Sequence, residues 1–172
     1  GQLVANEPQP GRARVLRQNL LRAGAWRCLV TCADGRRLGG LAPGAFDAVL
    51  VDAECSGEGR VRKEPGVWQS WAHPGHAERL RQHTDLQWEL LRSGWEALRP
   101  GGCLVYSTCT LNGLENEAQC QRLLAEEPSA RAVDLGALLG LPQLATAGGC
   151  LRVWPQSCGT EGFFTSCFRK EP

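Results

Sequence analysis

Apolar positions along this chain recur in two ways, one typical of strands and one typical of helices. Short runs rich in β-branched and aromatic residues predict strands, whereas longer stretches in which leucine returns every three or four positions predict helices. The predicted strands are residues 2–6, 26–32, 46–53, 103–109, 130–135, 150–155 and 162–170, of which 130–135 has the weakest pattern. The predicted helices are residues 10–24, 75–98 and 112–128.

Strands and helices alternate in this order, and the alternation favours an α/β fold with a mainly parallel sheet. The segment 46–53 is almost continuously apolar, which predicts a strand covered on both faces. In the helix 112–128, Asn112 and Glu115 have the spacing of a capping box, so the helix is expected to begin near Asn112. Residues 55–75 are rich in glycine, proline and charge and predict a long loop.

Composition narrows the class of protein. The chain has 172 residues without an internal repeat, enough for one core. A net charge of +1 does not indicate a nucleic-acid binder, although basic residues form local clusters. No apolar run approaches the roughly 20 residues that span a bilayer and no signal peptide is recognisable, so no membrane partner is expected.

Cysteine and methionine usage adds two expectations. Nine cysteines at irregular spacings are interpreted as reduced, mostly core-filling residues of a cytoplasmic protein. The chain contains no methionine, even at position 1, so we expect a fragment, a processed form or a truncated chain.

Five chemically capable side chains lie where predicted strands end. They are Glu7, Asp34, Asp52, Cys55 and Cys109. In an open α/β sheet, ligands bind beyond the carboxyl ends of the strands. We therefore expect these residues to belong to one site.

The two cysteines have several interpretations on pattern alone. Cys55 and Cys109 could form a nucleophile pair, a disulfide or part of a metal site, or could be near each other by chance. Cys109 alone could pack against a helix, as cysteines often do. Zinc is disfavoured because the chain has no Cys-x-x-Cys pair, and because Cys28 and Cys32 have no second close pair to match.

The carboxylates and the loop tryptophans also have two interpretations each. Glu7 and Asp34 could accept hydrogen bonds from a nucleotide-type ligand or could be solvated turn residues. Asp52 ends the most apolar strand, where a carboxylate is costly unless it is paired or functional. Trp68 and Trp71 could stack on bases or could pack within the loop.

Two segments carry a specific pattern. FDAVLVDAECSGEG with the following RKEP, and LRPGGCLVYSTCTLNGLENE, strongly resemble the Sun-type family of RNA 5-methylcytosine methyltransferases. The likeness extends to GQLVANEPQPGRARVLRQNLLRAG and LRVWPQSCGTEGFF and so covers nearly the whole chain. Asp-x-x-Cys-Ser-Gly and Ser-Thr-Cys-Thr, occurring together in this order, are highly specific for the family.

The resemblance implies a Rossmann-like class I methyltransferase sheet, mostly parallel with an antiparallel C-terminal strand. It implies S-adenosylmethionine as cofactor, RNA (ribosomal RNA above all) as partner, and no metal. Cys109 would be the nucleophile and Cys55 the cysteine that helps to release product. Glu7 would hold the cofactor ribose, Asp34 would lie by the adenine, and Asp52 would face the cofactor methyl group and the base.

This chemistry explains a cysteine at a rigid strand tip. Carbon 5 of cytosine is a poor nucleophile, and a thiolate that adds to carbon 6 makes it enamine-like, so that it can attack a methyl sulfonium. The hydroxyl groups around Cys109 are expected to stabilise its thiolate.

The chain departs from the family pattern at two points. The family has Asp-Ala-Pro-Cys where this chain has DAEC, with Glu54 in place of proline. Glu54 could raise the thiol pKa values through its charge, or could accept a hydrogen bond from the cytosine amino group. The family also has an earlier strand and glycine-rich loop, expected just before Gly1 and between the strands 2–6 and 46–52. Residues 1–172 alone are therefore expected to be a partial catalytic domain that exposes two strand edges and binds cofactor poorly.

Two competing functions remain on sequence alone. One is a catalytically silent RNA-binding or ribosome-assembly module with the same fold, favoured by Glu54 and the missing loop and opposed by the presence of both cysteines. The other is a cysteine-rich redox or metal protein.

Overall fold

The computed structural model describes residues 1–172 and contains seven strands and seven α-helices. The strands are β1 (Leu3–Asn6), β2 (Cys28–Thr31), β3 (Phe46–Asp52), β4 (Leu98–Thr108), β5 (Ala130–Ala132), β6 (Leu151–Val153) and β7 (Phe163–Lys170). The helices are α1 (Pro10–Arg22), α2 (Leu38–Leu41), α3 (Val67–Trp71), α4 (His76–Ala97), α5 (Glu117–Glu126), α6 (Leu135–Leu139) and α7 (Pro155–Cys158). None of these helices is long and apolar enough to cross a membrane.

The strands form two sheets. β1 and β2 pair in parallel, and a second sheet has the order β3-β4-β7-β5, with β6 also on β7. β3 and β4 are parallel, whereas β7 is antiparallel to β4, β5 and β6, so β7 alone runs against the other strands of its sheet. The predicted α/β class, mostly parallel with an antiparallel C-terminal strand, is confirmed.

Two strand edges are unpaired, as the sequence predicted. β1 pairs only with β2, and β3 pairs only with β4. Apolar side chains on the faces of these strands are also open to solvent: Leu3 is 51% exposed and Leu50 is 67% exposed. Open apolar edges of this kind are positions where a further strand can pair.

Helix α4 provides most of the core beside β3 and β4. The predicted helix 75–98 is confirmed, and its tryptophans Trp88 and Trp95 are buried together with Leu91. Gly94 allows this helix to approach the sheet closely, because a Cβ atom there would lie 2.9 Å from Val51 Cγ2.

The prediction that β3 is covered on both faces is wrong. Its residues alternate in exposure, with Val49 and Val51 packed against the core while Leu50 points away from it. Only the face toward α4 is covered. An apolar run shows that a strand is suited to burial, but the elements that would bury it must come from elsewhere in the fold.

The predicted start of the third long helix is also wrong. α5 begins at Glu117 with Asn116 at its N-cap position, and Asn112 instead forms a local turn in which its Oδ1 accepts from the Leu114 N–H at 3.0 Å. The carboxylate of Glu115 does not return to Asn112. Its partners lie in the loop that follows β3, as described below.

Candidate active site

The site is built where β3 and β4 end side by side. In their parallel register Asp52, the last residue of β3, lies opposite Ser107 of β4. Cys55 and Cys109 follow these two strand ends, and their Sγ atoms are 3.3 Å apart. All nine cysteines of the chain are free. The sequence-predicted meeting of the two cysteines therefore occurs, at the carboxyl ends of neighbouring parallel strands.

The loop after β3 is bound directly to the tip of β4. The Gly59 N–H donates to the Cys109 carbonyl oxygen at 2.9 Å, and the Gly59 carbonyl accepts from the Gly162 N–H at 2.8 Å. A Cβ atom at position 59 would lie 2.3 Å from the Gly162 oxygen and 2.7 Å from the Cys109 oxygen. Only glycine fits here, since any side chain would push the loop away from Cys109.

The hydroxyl groups around Cys109 do not act as the sequence predicted. Ser107 Oγ donates to Asp52 Oδ1 at 3.0 Å, and Thr108 Oγ1 donates to Asn116 Oδ1 at 2.6 Å. The Thr110 hydroxyl lies 2.7 Å from the Ser56 hydroxyl. All three hydroxyl groups have other hydrogen-bond partners, so they fix the backbone on both sides of Cys109. The thiolate of Cys109 is stabilised by other groups.

The two thiols have opposite shifts. A hydrogen bond from the Cys55 thiol, aided by the positive charge of Arg60, lowers the pKa of Cys109 to about 7, against the opposing effects of burial and the Asp52 carboxylate. The same contact with Cys109, together with burial, raises the pKa of Cys55. As the pH rises through about 7, the pair therefore loses its first proton from Cys109 and keeps the other on Cys55.

This assignment predicts a pH dependence for thiol reactivity. The rate of Cys109 alkylation by iodoacetamide should rise with pH through about 7, because only the thiolate reacts. Arg60→Gln should move the midpoint to higher pH and slow alkylation at pH 7 by up to about tenfold, the equivalent of one pKa unit. Peptide mass spectrometry after timed alkylation measures this rate for Cys109 alone.

Arg62→Gln is the matched control, since Arg62 lies in the same turn but is not among the groups that shift the Cys109 pKa. Equal effects of the two substitutions would contradict a specific role for Arg60.

The sulfur contact also predicts a disulfide under oxidation. Diamide, a mild thiol oxidant, should link Cys55 to Cys109 before other cysteine pairs, because the sulfurs need only close from 3.3 Å to the bonding distance of about 2.05 Å. The Cys109 thiolate adds to an azo nitrogen of diamide, and the Cys55 sulfur then attacks the Cys109 sulfur. The S–S bond forms as the S–N bond breaks, and diamide leaves as its hydrazine after taking up one proton from Cys55 and one from water. Peptide mapping identifies the linked pair.

Dithiothreitol should reverse this reaction, and Cys28→Ser should leave its rate unchanged because Cys28 lies in β2, outside the thiol pair. Preferential formation of any other disulfide would contradict the proximity of Cys55 and Cys109.

The three predicted carboxylates are divided between the two sheets. Asp52 lies beside the thiols and influences Cys109 electrostatically. Glu7 follows β1, where it accepts from the Gln9 N–H at 3.0 Å and forms an ion pair with Arg12 at 3.2 Å. Asp34 follows β2 and pairs with Arg36, whose hydrogen bonds lower the pKa of that carboxyl. The structure thus joins Asp52 to the cysteines and shows no contact between them and Glu7 or Asp34.

These carboxylates could accept hydrogen bonds from a polar ligand. Each sits at the carboxyl end of a parallel strand and carries oxygens that can accept from hydroxyl and amino groups. Asp52 is exposed, and the arginine partners of Glu7 and Asp34 are largely exposed side chains, 67% for Arg12 and 48% for Arg36. Their ion pairs can therefore open to a ligand at small cost.

Glu54 contacts the site through its backbone and not through its charged side chain. Its side chain is exposed and has no hydrogen-bond or ion-pair partner, while its carbonyl oxygen accepts from Gln87 Nε2 at 2.9 Å. The carboxylate that opposes ionisation of Cys109 is that of Asp52. The geometry gives no support to the first interpretation of Glu54, in which its charge suppresses the thiolate.

Trp68 and Trp71 pack against each other in α3. Their ring centroids are 4.3 Å apart with the rings nearly perpendicular, and the residues remain 51% and 43% exposed. The two tryptophans therefore pack against each other within the segment, and part of their ring surface stays exposed to solvent.

Several polar residues of the site were not identified from the sequence. Arg60, Ser56, Thr110, Glu115, Asn116 and Gln87 contact or influence the two cysteine loops. One signal was available: Gln87 is a polar residue on the mainly apolar face of α4, and such a residue needs a buried partner. Histidine, cysteine, aspartate and glutamate nowhere gather in a group of three or more that could hold a metal ion.

Comparison with known proteins defines first the class and then the family. A methyltransferase homolog protein from Pyrococcus horikoshii superposes with a TM-score of 0.78 at 27% identity, covering 99% of this chain and 53% of that one. NSun6 from Pyrococcus horikoshii, solved with SFG, superposes with a TM-score of 0.80 at 26% identity, covering 100% of this chain and 42% of that one. The fold is thus that of Rossmann-like methyltransferases.

The family follows from sequence comparison. The model of the family described as 16S rRNA methyltransferase RsmB/F matches residues 1–169. The ribosomal RNA small subunit methyltransferase F of Shewanella denitrificans is 45% identical over 172 residues, covering 99% of this chain and 33% of that protein. The chain belongs to the RsmB/F family of rRNA methyltransferases, and it spans about a third of the length of this curated relative.

Proposed function

We propose that this chain carries the catalytic cysteines of an enzyme that methylates carbon 5 of a cytosine in small-subunit ribosomal RNA, with S-adenosylmethionine as methyl donor. The observation that supports it most is the contact of Cys55 and Cys109, with Sγ atoms 3.3 Å apart and with opposite pKa shifts that favour a thiolate on Cys109 and a thiol on Cys55. Residues 1–172 would belong to one catalytic domain, acting in the cytoplasm where ribosomes are made.

Attack begins with the thiolate of Cys109. Its sulfur adds to carbon 6 of the cytosine, and the electrons of the 5,6 double bond make carbon 5 nucleophilic. The bound cofactor supplies a methyl group on a sulfonium centre, which carbon 5 can accept. The position of Cys109 at a strand tip held by buried Thr108 and Thr110 keeps its sulfur fixed during attack.

Release then needs a base, and in this proposal Cys55 becomes one. The main cause that raises the pKa of Cys55 is its contact with Cys109. When the sulfur of Cys109 is bonded to carbon it no longer carries charge, so this cause disappears and Cys55 can ionise more easily. Cys55 then removes the proton from carbon 5, the 5,6 double bond re-forms, and the thiolate of Cys109 leaves carbon 6.

The cofactor would be held by carboxylates at the strand ends. Glu7 would accept from the ribose hydroxyls, Asp34 would lie beside the adenine, and Asp52 would be near the reacting methyl group. The solved relative with SFG, an analogue of S-adenosylmethionine, supports this cofactor class.

Methyl transfer from radiolabelled S-adenosylmethionine to small-subunit rRNA by the full-length protein tests the proposal. Nucleoside analysis of the product should show 5-methylcytidine. Methylation of another base or another atom would overturn the assignment, and RNA binding without any methylation would favour a catalytically silent RNA-binding or assembly module.

A further inference from the structure

Glu115 and Asn116 are adjacent, fully buried polar residues just before α5, and no step above uses them. The Glu115 carboxylate has no cationic partner. Instead it accepts from the Ser56 N–H at 2.9 Å, from Ser56 Oγ at 2.5 Å and from Gln87 Nε2 at 2.9 Å. Ser56 directly follows Cys55, so Glu115 holds the loop that carries this cysteine.

Asn116 holds the other cysteine in the same way. Its Oδ1 accepts from Thr108 Oγ1 at 2.6 Å, and its Nδ2 donates to the Thr110 carbonyl at 3.0 Å. Thr108 and Thr110 are the two neighbours of Cys109. Both polar atoms of the amide are thus used to hold the backbone on either side of this sulfur.

A third contact joins the two halves. The Asn112 N–H donates to Thr110 Oγ1 at 3.2 Å, and the Thr110 hydroxyl lies 2.7 Å from Ser56 Oγ. Since the proton of Ser56 goes to the Glu115 carboxylate, Thr110 donates its own proton to Ser56. A continuous chain of hydrogen bonds therefore connects the residue after Cys109 to the residue after Cys55.

Burying a carboxylate and an amide costs free energy. The complete hydrogen bonding of Glu115 and Asn116 therefore indicates a specific role. An unpaired carboxylate or amide in the interior destabilises a protein, and apolar residues of similar volume fill space with less risk. Glu115 and Asn116 do more than fill space. They make directed hydrogen bonds to two loops that lie more than fifty residues apart in the sequence.

We propose that Glu115 and Asn116 are positioning residues that hold the Cys55 and Cys109 loops in register, so that the two sulfurs face each other. Glu115 acts on the Cys55 side and Asn116 on the Cys109 side. Their effect on methylation rests on the function proposed above, whereas their effect on the thiol pair can be measured without RNA.

The thiol test uses diamide and iodoacetamide on the full-length protein. Glu115→Gln replaces an acceptor oxygen by an NH2 group, which cannot accept from Ser56. It should slow the Cys55–Cys109 disulfide by about tenfold, the equivalent of one lost hydrogen bond. Both thiol reactions are measured well above pH 7, where Cys109 is ionised with or without the Cys55 hydrogen bond, so that alkylation of Cys109 changes less than about twofold. Asn116→Asp loses the donor to Thr110 and should slow both reactions, because Cys109 itself moves.

Matched variants separate positioning from general stability. Glu117→Gln changes the next carboxylate in the chain, which pairs with Arg152 and not with the cysteine loops, and should leave both thiol rates unchanged. Ser56→Ala keeps the backbone bond to Glu115 and removes only the hydroxyl link, so it should reproduce the slower disulfide formation without unfolding the turn. Thermal unfolding of each variant is measured alongside.

The outcomes are distinct. Selective slowing of the disulfide in Glu115→Gln and Ser56→Ala supports positioning, even if no RNA is methylated. Unchanged disulfide rates in both variants overturn it. A disulfide rate in Glu117→Gln that falls with thermal stability as much as in the other two variants also overturns it. With RNA, Glu115→Gln should slow release of the covalent adduct more than its formation; unimpaired release would also overturn the proposal.

Discussion

Replacing Cys109 with alanine is expected to lower methyl transfer to RNA by at least about a thousandfold, as removal of a catalytic nucleophile does in other enzymes. In the proposed mechanism, the thiolate at this position adds to carbon 6 and so activates carbon 5. RNA binding should persist, because the substitution removes one sulfur from a tip whose backbone is held by Asn116. Incorporation of radiolabelled methyl groups into RNA measures the loss.

Cys103→Ala provides the comparison. Cys103 lies in β4, half-buried, six residues before Cys109. Its substitution should leave methyl transfer within about twofold of the unchanged protein, since it alters packing modestly and touches neither cysteine loop. Substantial methylation by Cys109→Ala would show that the nucleophile is another residue.

The central feature of this site was predictable from sequence. Two apolar runs predicted strands, and each led directly into a cysteine, Cys55 or Cys109. Because parallel strands of an α/β sheet end at a common edge, the two residues were expected to meet there, and they do. This prediction needed only local patterns and one rule of topology.

The residues that hold the cysteines were not predictable in this way. Glu115 lies in a segment whose local pattern suits a capping box, and its true partner, Ser56, is 59 residues away in the sequence. A local pattern cannot show that a distant backbone amide will compete for the same carboxylate. Arg60 was likewise only one of several basic residues in a loop until the fold placed its charge near Cys109.

The burial of a strand face also depends on distant parts of the chain, which local sequence does not show. The apolar run of β3 identified a strand correctly, but Leu50 is exposed because no element of the fold covers that face. The separate sheet of β1 and β2, which carries Glu7 and Asp34 at its carboxyl edge, also depends on long-range packing that periodicity does not record.

Replacing Cys55 with alanine is expected to trap the protein on its RNA. Under the proposed mechanism Cys109 remains as the nucleophile, so attack on carbon 6 and methylation of carbon 5 can still occur. The group that removes the proton from carbon 5 is then missing, and without that step the bond between Cys109 and carbon 6 cannot break. A slowly migrating RNA–protein species on a denaturing gel should therefore accumulate in Cys55→Ala and be nearly absent from the unchanged protein.

Two comparisons decide whether the species arises in this way. The double variant Cys55→Ala with Cys109→Ala should form none of it, and nuclease digestion followed by peptide mapping should find a methylated cytosine on Cys109 of the single variant. Loss of the neighbouring thiol also removes the hydrogen bond that lowers the pKa of Cys109, so the adduct should form more slowly at pH 7 than at pH 8. Full turnover by Cys55→Ala without an adduct would show that another base completes release. The proposed role of Cys55 would then be limited to stabilising the Cys109 thiolate.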